Sequence, residues 1–176
     1  ASPCVVAVDG RSGSGKSTLA RALAERLGAL RIEGDDFYIG GIDLADVSDE
    51  HLARTCIDWQ AQRRVLESLK QGRAASFYPF DWTAFDGSKR ADPVLLVLQP
   101  FIILDGVYSA RPELRDLVDY TVLLEVDDAT RQARVLQREG RISDWAQHWW
   151  RGERWYFDHQ AHLEAFDCVL DNSQDS

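Results

Sequence analysis

The chain has 176 residues, 45% of them hydrophobic, enough apolar material for one α/β domain with a sizeable core. Its formal net charge of −9 excludes a general nucleic-acid binder, which needs a basic face. It contains no low-complexity stretch, signal-peptide pattern or apolar run long enough to cross a bilayer, so a single cytoplasmic domain over residues 1–176, not tied to a membrane, is expected. Cys4, Cys56 and Cys168 are odd in number and lack metal-type spacing, which points to reduced thiols.

In chain order, Val5-Val6-Ala7-Val8 is a short apolar run that reads as a buried parallel strand. Residues 18–27 read as a helix, with Leu19, Leu23 and Leu27 on one face, and residues 29–32 as a second strand ending at Glu33-Gly34-Asp35-Asp36. Residues 44–55 are polar, irregular or briefly helical. Residues 59–70 predict a helix with Val65, Leu66 and Leu69 apolar and Gly72 just past its end. Residues 74–80 and 93–98 are extended candidates around an aromatic, Asp-rich loop. Phe101-Ile102-Ile103-Leu104 and residues 120–126 are further strands, a long helical region opens at residue 128, and residues 166–170 close the sheet. Strands alternating with helices imply a three-layer α/β fold around a central parallel sheet, with the site at the strand C-termini.

Between the first strand and helix lies Gly10-Arg11-Ser12-Gly13-Ser14-Gly15-Lys16-Ser17, which satisfies G-x-x-x-x-G-K-[ST] at every fixed position. Glycines let the backbone curl so that its N–H groups face inward as an anion cradle. Lys16 then reaches the outer phosphates, expected to face solvent until they arrive, and the Ser17 hydroxyl is placed for Mg²⁺. Thr18 continues the loop into a helix whose N-terminus favours negative charge. A chance match arises in roughly one percent of chains this long, and the flanking strand and helix make it remoter still. The loop predicts a nucleoside triphosphate, ATP with Mg²⁺.

A second anchor is Asp105, directly after a buried strand, where a phosphate-loop protein holds its magnesium. Arg131, Arg134, Arg138 and Arg141 recur at spacings of three and four. They form either a solvated face paired with Glu125, Asp127, Asp128 and Glu139, or an Arg-rich lid over approximately residues 128–152 that neutralises transition-state charge and excludes water. Arg134 and Arg138 are the catalytic candidates and Arg141 a triphosphate contact. Trp145, Trp149, Trp150, Trp155, Tyr156 and Phe157 read mainly as packing, and Asp171-Asn172-Ser173 as a border of the nucleotide base.

The run Val8-Asp9-Gly10 through Thr18, then Asp35-Asp36-Phe37-Tyr38, Phe80-Asp81-Trp82, Leu104-Asp105-Gly106-Val107 and Asp128-Ala129-Thr130-Arg131, resembles in order the uridine kinase and phosphoribulokinase group of small-molecule P-loop kinases. The resemblance implies a nucleoside-kinase-like fold and transfer of the ATP γ-phosphate to a hydroxyl of a small molecule. It makes Asp35 the residue that accepts the hydroxyl proton, Asp58 a ribose ligand, and Tyr38, Tyr78 and Asp81 acceptor contacts. The family follows its ribose aspartate with His-Pro, where this chain has Trp59-Gln60, so an antibiotic, other natural product or small alcohol stands beside a nucleoside-like acceptor. A non-kinase ATPase regulator is the third class, and a guanine-reading Asn-Lys-x-Asp element is missing.

Overall fold

The computed structural model describes residues 2–40 and 46–173. Five parallel strands form the central sheet: β1 (Cys4–Asp9), β2 (Leu30–Glu33), β5 (Phe101–Asp105), β6 (Tyr120–Glu125) and β7 (Cys168–Asp171), in the order β2-β5-β1-β6-β7. The central strand β1 and its neighbour β5 are apolar up to their terminal aspartates because helices cover both of their faces. Val5, Ala7, Val8, Ile102, Ile103 and Leu104 are fully excluded from solvent. β7 lies at the sheet edge, which is why Val169 and Leu170 remain exposed.

Helix α1 (Lys16–Leu27) begins inside the phosphate loop and ends at Gly28, a left-handed cap with φ 59°. Leu19 and Leu23 pack on the sheet, whereas Leu27, in the last turn, does not. Part of the segment expected at 44–55 is helical as α2 (Asp49–Thr55), capped by Ser48; Leu44 and Ala45 fall outside the described residues. Helix α3 (Trp59–Lys70) matches its expected bounds and buries Val65, Leu66 and Leu69, each such burial contributing about 1.5–3 kcal/mol.

The extended segments β3 (Ala75–Phe77) and β4 (Val94–Leu96) do not join the sheet. They pair antiparallel as a separate ribbon, Ala75 opposite Leu96, because the loop between them offers no helical crossover that could make them parallel. The loop folds back to carry Trp82 and Phe85 against Tyr38 and Phe80. The long helical region is two helices, α4 (Asp128–Glu139) and α5 (Asp144–His159), since Gly140 turns left-handed at φ 75° and Ser143 caps the second. Arg141 therefore lies beyond α4, exposed, rather than in line with Arg131, Arg134 and Arg138. Helix α5 is firmly part of the core: Trp149, Gly152, Glu153 and Tyr156 are buried.

Candidate active site

The phosphate loop connects β1 to α1 at the carboxyl edge of the sheet. Gly10, Gly13 and Gly15 carry φ of 153°, 82° and 92°, a backbone that residues with a Cβ rarely adopt. A Cβ at Gly13 would stand 2.6 Å from the Arg131 carbonyl oxygen, and one at Gly15 2.7 Å from Asn172 Nδ2. The loop is thus clamped from outside while Ser12, Ser14 and Lys16 complete its interior. Helix α1 has no acidic residue in its first turn, so its N-terminal field is not neutralised, and Ser17 and Thr18 are exposed there. The buried Ser14 hydroxyl finds no partner among the described residues. A curled glycine loop opening onto a helix N-terminus whose field no acidic residue offsets fits a polyphosphate.

Lys16 departs from expectation. It is only 8% exposed, its Nζ donating to the Arg11 carbonyl at 3.4 Å. Two buried carboxylates, Asp9 and Glu153, feel its charge. Asp9 accepts from Gly10 N at 2.7 Å, Ala110 N at 3.0 Å and the Tyr156 hydroxyl at 2.8 Å, tying the end of β1 to the segment after β5 and to α5. Complete burial pushes its carboxyl up to about 6 in spite of these donors. Glu153 accepts from Ser12 N and from the Ser12 hydroxyl, and burial raises it as well. Neither role was legible beforehand: Asp9 was only a letter of the motif, and Glu153 lies 141 residues from its partner.

Acidic groups gather where β2 and β5 end. Glu33 and Asp105 are register partners, and Asp35 follows in a 3-10 turn over Gly34–Phe37. Two glycines allow this approach: a Cβ at Gly34 would stand 2.7 Å from the Asp105 carbonyl oxygen, and one at Gly106 3.3 Å from Gly34 Cα. Asp105 accepts from Arg31 Nε at 2.6 Å, which opposes the upward push of burial on its carboxyl. Burial, reinforced by the charges of Glu33 and Asp35, pushes Asp36 up to about 6. Among the described residues no three His, Cys, Asp or Glu side chains converge as a metal site. Mg²⁺ in phosphate-loop sites keeps most of its waters and takes one or two protein ligands plus phosphate oxygens. Ser17 and Asp105 are the residues of this chain that fit the task.

Asp35, Asp36, Ser12 and Lys16 open into one cavity of about 290 Å³, walled by Trp82, Trp145, Trp149 and Trp150, with Arg138 and Glu139 at its border. Arg134 is not part of it. Its guanidinium donates to Asn172 O at 2.7 Å and lies 3.4 Å from Gly13 O, bracing the loop from behind together with Asn172 Nδ2, which donates to Ser14 O. Arg131 is buried beneath Trp150 and paired with Asp128. Other expected acceptor residues are also placed elsewhere. Asp58 caps α3, accepting from Ala61 N at 2.9 Å, and with the exposed Tyr78 lines a separate cleft. Asp81 accepts from Thr83 N and Ala84 N, shaping the aromatic loop. Tyr38 is buried, its hydroxyl accepting from Trp145 Nε1 at 3.3 Å, so it backs the tryptophan wall instead of lining the cavity. A second cavity of about 460 Å³, lined by Arg11, Glu125, Phe157 and His162, contains neither Lys16 nor the acidic cluster.

A parallel sheet in this order, a phosphate loop after its central strand and an aspartate at the end of the neighbouring strand define a P-loop kinase-like fold. No protein-family model matches the chain. It is 29% identical over 147 residues to a uridine kinase of Ligilactobacillus salivarius, covering 78% of this chain and 67% of that one. It is 30% identical over 149 residues to a uridine kinase of Limosilactobacillus reuteri, covering 78% and 65%. The chain thus spans about two thirds of the length of the curated relatives it matches. Among solved structures, one described as a possible uridine kinase from Bacillus stearothermophilus superposes with a TM-score of 0.71 at 23% identity, covering 97% of this chain and 90% of that one. Phosphoribulokinase from Rhodobacter spheroides gives 0.68 at 15%, covering 98% and 71%. In sequence the chain is thus similar to uridine kinases, and in fold to a possible uridine kinase and to phosphoribulokinase.

Proposed function

We propose that this protein is an ATP-dependent kinase that transfers the γ-phosphate to a hydroxyl of a nucleoside-like small molecule. The observation that carries the reading is the shared cavity: the phosphate-loop lysine and the carboxylate of Asp35 open into one space walled by tryptophans. Indole faces suit a planar ring, and stacking on an aromatic side chain is worth about 1–3 kcal/mol per base. The similarity to uridine kinases supports the same chemistry.

In this reading the loop amides and Lys16 hold the triphosphate, and Asp35 accepts the proton of the acceptor hydroxyl as its oxygen attacks the γ-phosphorus. The bond to the β-phosphate oxygen breaks, and ADP and a phosphate monoester leave. Ser17 and Asp105 would hold Mg²⁺, which supplies charge neutralisation between the β- and γ-phosphates. For Asp105 this means sharing its carboxylate between the cation and Arg31. Arg138, on α4 beside the cavity, adds positive charge where negative charge gathers on the oxygens of the transferring phosphoryl group. We assign residues 128–152 as the segment that covers the triphosphate, with Arg138 its charge at the cavity border.

The test is a thermal-shift screen of nucleosides, sugars, pantothenate-like alcohols and aminoglycosides with a nonhydrolysable ATP analogue, followed by ADP release with each hit. A nucleoside that stabilises the protein and stimulates ADP release supports the reading. An aminoglycoside or simple alcohol doing so alone would reassign the acceptor, and no stimulation by any compound would return the chain to the regulator class.

A further inference from the structure

Glu153 is 1% exposed, and its carboxylate points into the phosphate loop. Ser12 N donates to its two oxygens at 3.1 and 3.2 Å, the Ser12 hydroxyl donates to Oε1, and Trp149 Nε1 donates to the same oxygen at 2.8 Å. Lys16 lies within reach of its charge. A carboxylate held by a loop N–H beside the loop lysine is an anion already seated in a cradle whose geometry selects anions. The phosphoryl transfer described above has no use for it. Left in place, it repels further negative charge brought to the Ser12 end of the loop. Two like charges about 4 Å apart interact strongly when partly shielded from water.

The same oxygen that binds Ser12 also binds Trp149. That indole lines the acceptor cavity and stacks on Trp145 at 5.3 Å, and Trp145 in turn donates to Tyr38. A displacement of Glu153 therefore removes the hydrogen-bond partner of one wall of the cavity. Resting on the phosphate-loop reading, we propose that Glu153 is a positioning residue that occupies the Ser12 end of the loop as an internal anion, competes with the terminal phosphate of a triphosphate, and couples its arrival to the acceptor cavity through Trp149.

The experiment compares Mg·ADP with the Mg·β,γ-imido analogue of ATP, by titration calorimetry on wild type and Glu153→Gln. Removing the charge while keeping the side chain's size is expected to tighten the triphosphate analogue about tenfold and leave ADP within about twofold. Wild-type tryptophan emission is expected to change with the triphosphate analogue more than with ADP, and Trp149→Phe to remove that difference. Should Glu153→Gln fail to fold, Glu153→Asp, which withdraws the charge by one methylene, is expected to shift the ratio in the same direction by a smaller factor. Equal weakening of both nucleotides would make Glu153 a structural prop of the loop and overturn the proposal, as would an unchanged ratio. Absence of any nucleotide binding by wild type is the distinct outcome that removes the phosphate-loop reading itself, and this inference with it.

Discussion

Arg31 Nε donates to Asp105 Oδ2 at 2.6 Å, and its Nη1 donates to Glu33 Oε1 at 2.9 Å, so one guanidinium bridges the carboxyl ends of two neighbouring strands. The carboxylate proposed to hold Mg²⁺ is thereby paired with a guanidinium before any cation arrives. Asp105→Asn is expected to raise the Mg²⁺ concentration needed for half-maximal transfer about tenfold or more, as loss of a ligand or its support commonly does. Nucleotide affinity measured without metal should stay the same. An unchanged Mg²⁺ requirement would leave Asp105 with the Arg31 bridge as its whole role.

Asp35 is separated from Asp36 by environment. It is exposed at the cavity, whereas Asp36 is half-buried and pushed up to about 6. Asp35→Asn keeps the shape and removes the proton acceptor, so acceptor phosphorylation should fall on the order of a hundred- to ten-thousand-fold. ATP affinity, read in parallel by calorimetry, should change by less than about threefold, because the loop, Lys16 and Ser17 are untouched. Retained transfer would shift the base to Asp36.

Arg134 and Arg138, both on α4, face different duties. Arg134→Ala unties the helix from Gly13 O and Asn172 O, so it should lower stability by about 1–2 kcal/mol and raise the KM for ATP. Arg138→Ala, at the cavity border, should lower kcat on the order of a hundredfold with its unfolding midpoint unchanged. Urea unfolding and steady-state kinetics on both variants decide the matter; matching effects from the two would show that α4 acts as a single undivided face.

Asp9 provides a pH test of the core. Its carboxyl titrates at about 6 in the fold against 3.8 in the unfolded chain, so between these values the native state holds the extra proton. Its stabilising contribution is full below 3.8 and is lost as pH rises through about 6. From pH 4 to 7, wild type should lose about 2–2.5 kcal/mol more stability than Asp9→Asn, measured by urea unfolding. Carboxylates held low by arginine or lysine, such as Asp116 and Asp119, push the other way but cancel in the difference. A pH-independent difference between the two proteins would reassign the titration.

Much of the architecture was written locally. The apolar runs that became β1 and β5 are continuous because both faces of a central parallel strand are covered, and α3 matched its expected bounds because Asp58 caps one end and its apolar stripe repeats helically. The glycine spacing, Lys16 and Ser17 identified the phosphate loop, since a backbone that must curl around phosphate leaves few residue choices. Asp105 was legible because it closes a continuous apolar strand, and Asp35 because the Asp-x-Phe-Tyr element resembles that of uridine kinases.

What sequence could not supply was which distant groups share a space. Asp58 and Tyr78 stand in the right order along the chain, yet helix capping and the ribbon formed by β3 and β4 take them to another cleft. Arg134 stands one helical turn from Arg138, but a guanidinium within reach of free backbone carbonyls binds them rather than projecting into the cavity. Lys16 was expected in solvent and is buried near Asp9 and Glu153, whose charges come from opposite ends of the chain. Local chemistry fixed the cradle and the strands that lead to it. The burial of charges against one another is a long-range property, and only the packing of α5 over the loop decided it.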